Sequence, residues 1–185
     1  MVLEDCSLTV ASGELVGLVG ENGSGKSTLI RCLLGFTRPS GGIVEVSGKV
    51  GYCPQEDYLN PAYTVDEHLS LACAIYNRHD HIDMTYVNAL SDRLRLDEYR
   101  KRSVKDLSEG TRQKLKFLTS IIHKPTLLLM DEPYGGFDWN MYLVFWDLIE
   151  ELCKTGAGVL LITHLIYDRH HFNRIYELQG GHFDA

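Results

Sequence analysis

Aliphatic residues cluster in three short runs, Leu15 to Val19, Leu127 to Met130 and Val159 to Thr163. A strand that is buried on both faces of a parallel sheet has this continuous apolar character, without alternation. Helices are predicted at Lys26 to Leu34 and at Met141 to Lys154. The order strand, helix, strand, helix predicts an α/β fold with a mainly parallel sheet and right-handed crossovers.

The first third of the chain has a different pattern. Leu8 to Val10 alternates toward Glu14, and the stretches Gly42 to Val46 and Lys49 to Tyr52 flank a Ser47-Gly48 turn. Short alternating segments around a glycine turn are typical of antiparallel strands. We therefore expect a small N-terminal antiparallel β layer beside the main sheet.

The middle of the chain is polar and charged, and its apolar residues recur at helical spacing, as in Leu69, Cys73 and Tyr76. This indicates a helical lobe of about residues 62–107, inserted into a core of about residues 1–61 and 108–185. The length of 185 residues is typical of one domain with such an insertion.

Charge, hydropathy and cysteine content argue against several classes of protein. The formal net charge of −7 argues against a nucleic-acid-binding face, so no nucleic acid partner is expected. No apolar run approaches the roughly 18 residues of a membrane span, and no secretory signal is visible, so we expect a soluble, cytosolic chain. The odd count of five cysteines, without a C-x-x-C pair, favours reduced thiols over a disulfide framework or a zinc site.

The strongest chemical signal is a glycine-rich stretch between the first predicted strand and its helix. Residues Gly20 to Ser27 match the pattern G-x-x-x-x-G-K-[ST], in which backbone N–H groups and a helix N-terminus cradle phosphate. Lys26 supplies a positive charge to the β- and γ-phosphates, and the Ser27 hydroxyl ligates Mg²⁺. The predicted phosphate-binding residues are Gly20, Glu21, Asn22, Gly23, Ser24, Gly25, Lys26, Ser27 and Thr28.

Two acids follow the second apolar run, Asp131 and Glu132. Acids at the end of a buried strand are costly unless they have a function, and open α/β sheets bind ligands at this end of their strands. Asp131 is predicted to hold Mg²⁺ through water, and Glu132 to act as the general base on an attacking water. These residues alone indicate a nucleoside triphosphatase.

Further short motifs lie in a fixed order around these two sites. The segment Leu107-Ser108-Glu109-Gly110-Thr111 resembles the L-S-G-G-Q signature of ABC (ATP-binding cassette) ATPases. Three single residues match other markers of that family: Gln55 the Q-loop glutamine, Asp138 the D-loop aspartate and His164 the switch histidine. The resemblance extends over essentially the whole chain.

The resemblance implies a P-loop NTPase core that binds ATP and Mg²⁺. It implies that Gln55 joins the Mg²⁺ and water site to the docking surface of the membrane partner, and that His164 contacts the γ-phosphate and Glu132. Ser108 and Gly110 are expected to contact ATP bound to a second cassette, in a homo- or heterodimer, with Asp138 in the adjoining loop. The family further implies an integral-membrane permease as partner, and a peripheral location on the inner face of the cell membrane.

The sequence departs from the family pattern in three places. Glu109 replaces a glycine, Thr111 replaces a glutamine, and Gly135 stands where a serine is usual. We expect the Glu109 side chain to point away from phosphate. The aromatic residue that stacks on adenine in relatives would lie just upstream of Met1, so we expect either a truncated N-terminus or another way of holding adenine.

Two alternatives to a transporter subunit stay open at this point. One is a soluble ABC-type ATPase without a membrane partner, although the long coiled coils of DNA-maintenance members are not visible. The other is a degenerate module that senses ATP without turnover, which the presence of both Glu132 and His164 argues against. Among transporters, the single cassette looks most like export systems.

Overall fold

The computed structural model describes residues 2–78, 81–163 and 169–184. The strands are β1 (Leu15–Val19), β2 (Val50–Cys53), β3 (Leu127–Asp131), β4 (Gly158–Ile162), β5 (Arg174–Gln179) and β6 (His182–Asp184). The helices are α1 (Lys26–Leu33), α2 (Val65–Tyr76), α3 (Met84–Arg93), α4 (Glu109–Ile121) and α5 (Trp139–Lys154). Short 3₁₀ turns lie at Asp97–Tyr99, Val104–Asp106 and Arg169–His171.

One six-stranded sheet has the order β2-β3-β4-β1-β5-β6. The first five strands in that order are parallel, and only β6 is antiparallel to its neighbour β5. The three predicted apolar runs are β1, β3 and β4, at the centre of the sheet. The predicted helices at 26–34 and 141–154 are α1 and α5, so the α/β prediction is confirmed.

The continuous apolar runs are explained by a core on each face of the sheet. Along β3, Leu128 and Met130 belong to the larger core, which includes Phe117 of α4 and Phe145 of α5. The intervening Leu129 belongs to the smaller core, which includes Ile30 of α1. Successive side chains of a strand point to opposite faces, so a strand covered on both faces needs an apolar residue at every position.

The predicted N-terminal antiparallel layer is wrong in its details. In the described part of the chain, Leu8 to Val10 and Gly42 to Val46 lie in no strand. The segment predicted at Lys49 to Tyr52 is β2, and it pairs in parallel with β3. The pairing with β3 begins just before β2, where the Lys49 carbonyl accepts hydrogen bonds from the amides of Thr126 and Leu127. The alternation at Leu8 and Val10 reflects packing against the smaller core, without a hydrogen-bonded ladder.

Helices and turns occupy the described residues between β2 and β3. Helix α2 begins with a capping box, in which Thr64 accepts from the Glu67 amide and the Glu67 carboxylate accepts from the Thr64 amide. Helix α3 is capped by Asp83, whose carboxylate accepts from the Thr85 amide at 2.9 Å. This is where the sequence predicts the helical lobe, and its boundaries as a separate lobe stay a prediction.

None of the helices in the residues described combines the length and apolar character needed to cross a lipid bilayer.

Candidate functional site

The glycine-rich loop connects the carboxyl end of β1 to the start of α1. Gly23 and Gly25 have φ angles of 83° and 113°, in the left-handed region that favours glycine. Gly25 occupies the N-cap position of α1, and no side chain caps the helix there. The first N–H groups of a helix lack intrahelical partners and carry partial positive charge, so this uncapped end attracts an anion.

Lys26 closes the loop on itself. Its Nζ donates to the carbonyl oxygens of Gly20 at 2.6 Å and Glu21 at 2.8 Å. The amide of Ser24 also donates to the Glu21 carbonyl, at 3.2 Å. The ammonium group is therefore held at the mouth of the loop, where it can exchange carbonyl oxygens for phosphate oxygens.

A cavity of about 500 Å³ brings the predicted residues together. It is lined by Gly20, Glu21, Asn22, Gly23, Gly25, Lys26, Ser27 and Thr28, together with Gln55, Asp131, Glu132 and Val2. Ser24 is absent from this lining, and its hydroxyl lies buried beneath the loop, where a Cβ added to Gly20 would lie 2.8 Å from it. Every other residue that the sequence assigns to the phosphate loop, together with the acidic pair and Gln55, meets in one place.

The acidic pair lies at the carboxyl end of β3, opposite the loop. Burial, followed by the neighbouring Glu132 carboxylate, raises the pKa of Asp131, and the Lys26 charge opposes that rise. A carboxylate that is desolvated beside a second carboxylate is stabilised by a nearby cation. The cavity therefore favours a cation at this wall and an anion at the loop.

Glu132 has an unusual backbone conformation. Its φ angle is 49°, in the left-handed region that non-glycine residues rarely adopt. Its amide donates to the Ile162 carbonyl at 3.0 Å, which ties this turn to the end of β4. Residues held in such conformations cost about 1–3 kcal/mol and cluster at functional sites, so the strain is consistent with a catalytic role for this carboxylate.

The donor set suits a magnesium–triphosphate complex. Mg²⁺ prefers oxygen ligands, and it usually takes one or two carboxylates together with waters and substrate phosphates. The cavity offers the Asp131 carboxylate, the Ser27 hydroxyl and the Gln55 amide. No group of three His, Cys, Asp or Glu residues that could hold a metal by themselves occurs among the described residues.

Ser108 and Gly110 form a second predicted cluster at the N-terminus of α4, outside the cavity. Ser108 is the N-cap of α4, and its hydroxyl accepts from the Thr111 amide at 3.2 Å. A Cβ at Gly110 would collide with the Gly136 carbonyl, so this turn lies directly against the loop that leads to Asp138. Asp138 in turn caps α5, since its carboxylate accepts from the Met141 amide at 2.8 Å.

Two further residues that the sequence singled out are Glu109 and His164. Glu109 lies in the first turn of α4 and is exposed. An acid in the first turn interacts favourably with the helix dipole. His164, the predicted switch histidine, lies outside the described residues, so its role stays a prediction.

Sequence reasoning missed two polar residues inside α4, Gln113 and Lys116. Gln113 is 6 % exposed, and its Nε2 donates at 2.8 Å to the carbonyl of Pro133, the residue after Glu132. Lys116 is 4 % exposed and donates to three carbonyls of the Gln55 segment. The available signal was a pair of long polar side chains, three positions apart, in a helix that is otherwise largely buried.

Comparisons with known proteins identify the family. The family model described as ABC transporter matches residues 3–135, which is more than half of the chain. ATP-binding cassette sub-family A member 10 of Homo sapiens is 36 % identical over 179 residues, covering 89 % of this chain. Nod factor export ATP-binding protein I of Cupriavidus pinatubonensis is 33 % identical over 194 residues, covering 98 % of this chain.

The chain spans 12 % of the length of the human relative and 60 % of the length of the bacterial one. A solved structure of an ATP-binding subunit of an ABC transporter superimposes with a TM-score of 0.89 at 28 % identity. That comparison covers 100 % of this chain and 82 % of the other. The chain has the α/β P-loop NTPase fold, belongs to the ABC transporter family and contains that family's ATP-binding domain.

Proposed function

We propose that this chain binds and hydrolyses ATP to power membrane transport, as the nucleotide-binding part of an ABC transporter. One observation carries the proposal. A single cavity is lined by the uncapped phosphate loop, the cation-favouring Asp131, the strained Glu132 and Gln55. The relatives support the transport role, since two of them are named as parts of transport systems.

In this proposal the loop amides and Lys26 bind the β- and γ-phosphates. Ser27, Asp131 and Gln55 hold Mg²⁺, which supplies charge neutralisation at the phosphate oxygens when bound. Lys26 exchanges its hydrogen bonds to the Gly20 and Glu21 carbonyls for contacts with phosphate oxygens. Nucleotide binding therefore breaks these two hydrogen bonds within the loop.

Glu132 is the proposed general base. It accepts the proton of a water that attacks the γ-phosphorus, and the bond from phosphorus to the β–γ bridging oxygen breaks to release ADP and phosphate. The Ile162 hydrogen bond and the left-handed turn hold the carboxylate at the cavity wall. His164 is proposed to hold the attacking water in line.

A second cassette is proposed to complete the site. Ser108 and Gly110 do not line the cavity of their own chain, and their turn adjoins the Asp138 loop. Two copies, or this chain and a different cassette, placed head to tail would bring that surface to the γ-phosphate of the facing site. ATP then favours the closed dimer, and hydrolysis removes the differential contact.

An integral-membrane permease is the remaining proposed partner, with this chain bound at the inner face of the cell membrane. Export is the proposed direction, supported by the name of the bacterial relative. The alternative, a soluble ATPase, predicts a different cellular distribution. In native cells, we expect the protein in the membrane fraction with a permease, and a wholly soluble pool would favour the alternative.

The proposed chemistry is tested by Glu132→Gln. We expect turnover to fall about 10²- to 10⁴-fold, the range that general-base catalysis supplies, while Mg-ATP still binds. Because hydrolysis no longer releases the γ-phosphate, an ATP-stabilised dimer should accumulate, measurable by light scattering.

The matched control is Glu98→Gln, the same change at an exposed residue of the helical region. It should keep parental turnover. If Glu132→Gln hydrolysed ATP at the parental rate, the base would be misassigned, and if a folded parent bound no Mg-ATP the whole proposal would fail.

A further inference from the structure

A buried lysine of α4 has no role in the proposed chemistry, yet it contacts a residue that does. The Nζ of Lys116 donates to the carbonyl oxygens of Pro54 at 3.2 Å, Gln55 at 2.9 Å and Glu56 at 3.3 Å. The side chain is almost wholly enclosed. A buried ammonium is costly unless its three donors are satisfied, and here three carbonyls surround it.

The three carbonyls belong to consecutive residues of the segment that leaves β2. This segment, residues 54–58, contains Gln55, which lines the cavity. Its residues are exposed or half-buried, and none of them lies in a helix or strand. The segment therefore depends on contacts with a neighbouring element for a fixed position.

Two more residues on the same face of α4 bind the rest of the segment. The Nε of Arg112 lies 3.1 Å from a carboxylate oxygen of Asp57. The hydroxyls of Tyr58 and Thr119 share a hydrogen bond of 2.6 Å. Positions 112, 116 and 119 follow one another along one side of a helix, so α4 contacts all five residues of the segment.

The close approach of α4 to β2 makes these contacts possible. A Cβ at Gly51 of β2 would collide with the Ser120 carbonyl of α4, so no larger residue fits without displacing the helix. Lys116 lies one turn before Ser120 and is thereby placed beneath the chain that leaves β2. Lys116 is the principal contact of the three, because it binds three residues of the segment whereas Arg112 and Thr119 each bind one.

We propose that Lys116 is a positioning residue that fixes the Gln55 segment on α4 and so holds Gln55 in the cavity. This inference rests on the proposed function, because Gln55 acts there on Mg²⁺ and water. The ammonium acts through the backbone of the segment and never contacts nucleotide. The geometric part of the proposal stands apart from catalysis and can be tested separately.

Hydrogen exchange of the nucleotide-free protein tests the geometric part. Lys116→Met keeps the length of the side chain and removes its donors. We expect the amide of Leu59, which donates to the Asp57 carboxylate at the end of the segment, to exchange about tenfold faster, the equivalent of one lost charged hydrogen bond, with β1 and β4 unchanged. Lys116→Arg should keep the protection, because a guanidinium still donates to carbonyls.

Lys114→Met is the matched control for exchange. Lys114 lies in the same helix, and in the described structure it donates no hydrogen bond to residues 54–56. The variant should leave the Leu59 amide at the parental rate. Equal exchange in Lys116→Met and the parent would overturn the proposal, as would a uniform rise across the sheet, which would indicate a purely structural role. If Lys116→Met does not fold, Lys116→Leu, which also lacks donors, is used with the same expectations.

A double-mutant cycle tests the link to Gln55. Lys116→Met should lower kcat about tenfold with the KM for ATP within about twofold, and it should have almost no further effect in a Gln55→Ala background. Equal losses of kcat in both backgrounds would overturn the positioning role. A parent without ATPase activity would instead refute the proposed function and leave the exchange result standing.

Discussion

Two helix N-termini in this chain are both predicted to contact phosphate, and they are built in opposite ways. The N-cap residue of helix α1 is Gly25, which supplies no capping side chain, and the first turn holds no acid. The N-cap residue of helix α4 is Ser108, which caps the Thr111 amide, and the first turn holds Glu109. The first end adjoins a cavity of about 500 Å³, and the second lies outside that cavity.

The difference indicates which end can bind an anion within one subunit. The first amides of α1 can donate hydrogen bonds to a bound phosphate. A single subunit can therefore bind ATP at this end. The α4 end has satisfied its own amide and has placed a negative charge nearby, so it gains little from a free anion. It fits a contact that is assembled by a second subunit around nucleotide that is already bound.

Removing Lys26 tests the α1 side and should have the largest effect on this contrast. Lys26→Ala should weaken Mg-ATP binding to the isolated chain about 10- to 100-fold, because hydrogen bonds to charged groups contribute about 1.5–3 kcal/mol. The loss also frees the Gly20 and Glu21 carbonyls that Lys26 holds. Isothermal titration calorimetry measures the affinity directly.

The control is Lys154→Ala, which removes an exposed lysine from the end of α5. Its affinity for Mg-ATP should equal that of the parent. Parental affinity in Lys26→Ala would place the phosphate site elsewhere and would remove the contrast between the two helices.

Gly110→Ala tests the α4 side through packing. Alanine ordinarily favours a helix over glycine, but at this position the methyl group would collide with the Gly136 carbonyl. We expect a net loss of about 1–3 kcal/mol in the free energy of unfolding, as for overpacked sites, and reduced turnover in the dimer. Mg-ATP affinity of the isolated chain should not change. Urea denaturation and calorimetry measure the two quantities.

Gly41→Ala is the matched control, because an added Cβ at that position meets nothing within 4 Å. It should leave both stability and turnover near the parental values. Unchanged stability in Gly110→Ala would show that the α4 turn and the Asp138 loop are not tightly packed in solution.

The same contrast shows what could be predicted from sequence. The phosphate loop, β1, β3 and β4 were predictable because each has a local signal, a glycine pattern or a continuous apolar run. β5 and β6 were missed, since Arg174–Gln179 mixes polar and apolar residues, is largely half-buried and has no continuous apolar run. The antiparallel layer was predicted wrongly, because alternation cannot reveal which neighbour a strand pairs with.

The contacts of α4 were beyond prediction for a related reason. Lys116 reaches residues 54–56, some sixty positions earlier in the sequence, and only tertiary packing brings them together. The close approach at Gly51 that permits this contact also has no sequence signature of its own. Local chemistry is thus visible in the sequence, whereas the elements that position it are visible only in the fold.

Ser108→Ala separates the capping role of the α4 end from its proposed catalytic role. Loss of an N-cap should lower the free energy of unfolding by about 1 kcal/mol. Turnover by the dimer should also fall, because Ser108 is proposed to contact the facing nucleotide. Affinity for Mg-ATP in the isolated chain should stay at the parental value, which calorimetry and an ATPase assay together establish.

Thr64→Ala is the matched control, since Thr64 caps α2 in the same manner and is far from the proposed chemistry in sequence. It should lose similar stability without losing turnover. Equal losses of turnover in both variants would mean that Ser108 acts only as a cap.

Asp131→Asn examines the cation-favouring wall on the α1 side, with an effect on stability that depends on pH. The folded protein raises the pKa of Asp131 above the ordinary value of 3.8, chiefly through burial, so the folded state binds its proton more tightly than the unfolded state does. Stability therefore falls as pH rises through the folded pKa, and the cost persists at neutral pH.

Without nucleotide or metal, the neutral asparagine should make the protein more stable than the parent at pH 7, and this advantage should shrink as pH falls toward 3.8. Urea denaturation of both proteins across that range measures the difference, in which titrating groups that do not interact with Asp131 cancel. A variant less stable than its parent at pH 7 would mean that the ionised carboxylate is already compensated within the chain, and the argument that this wall needs an incoming cation would fail.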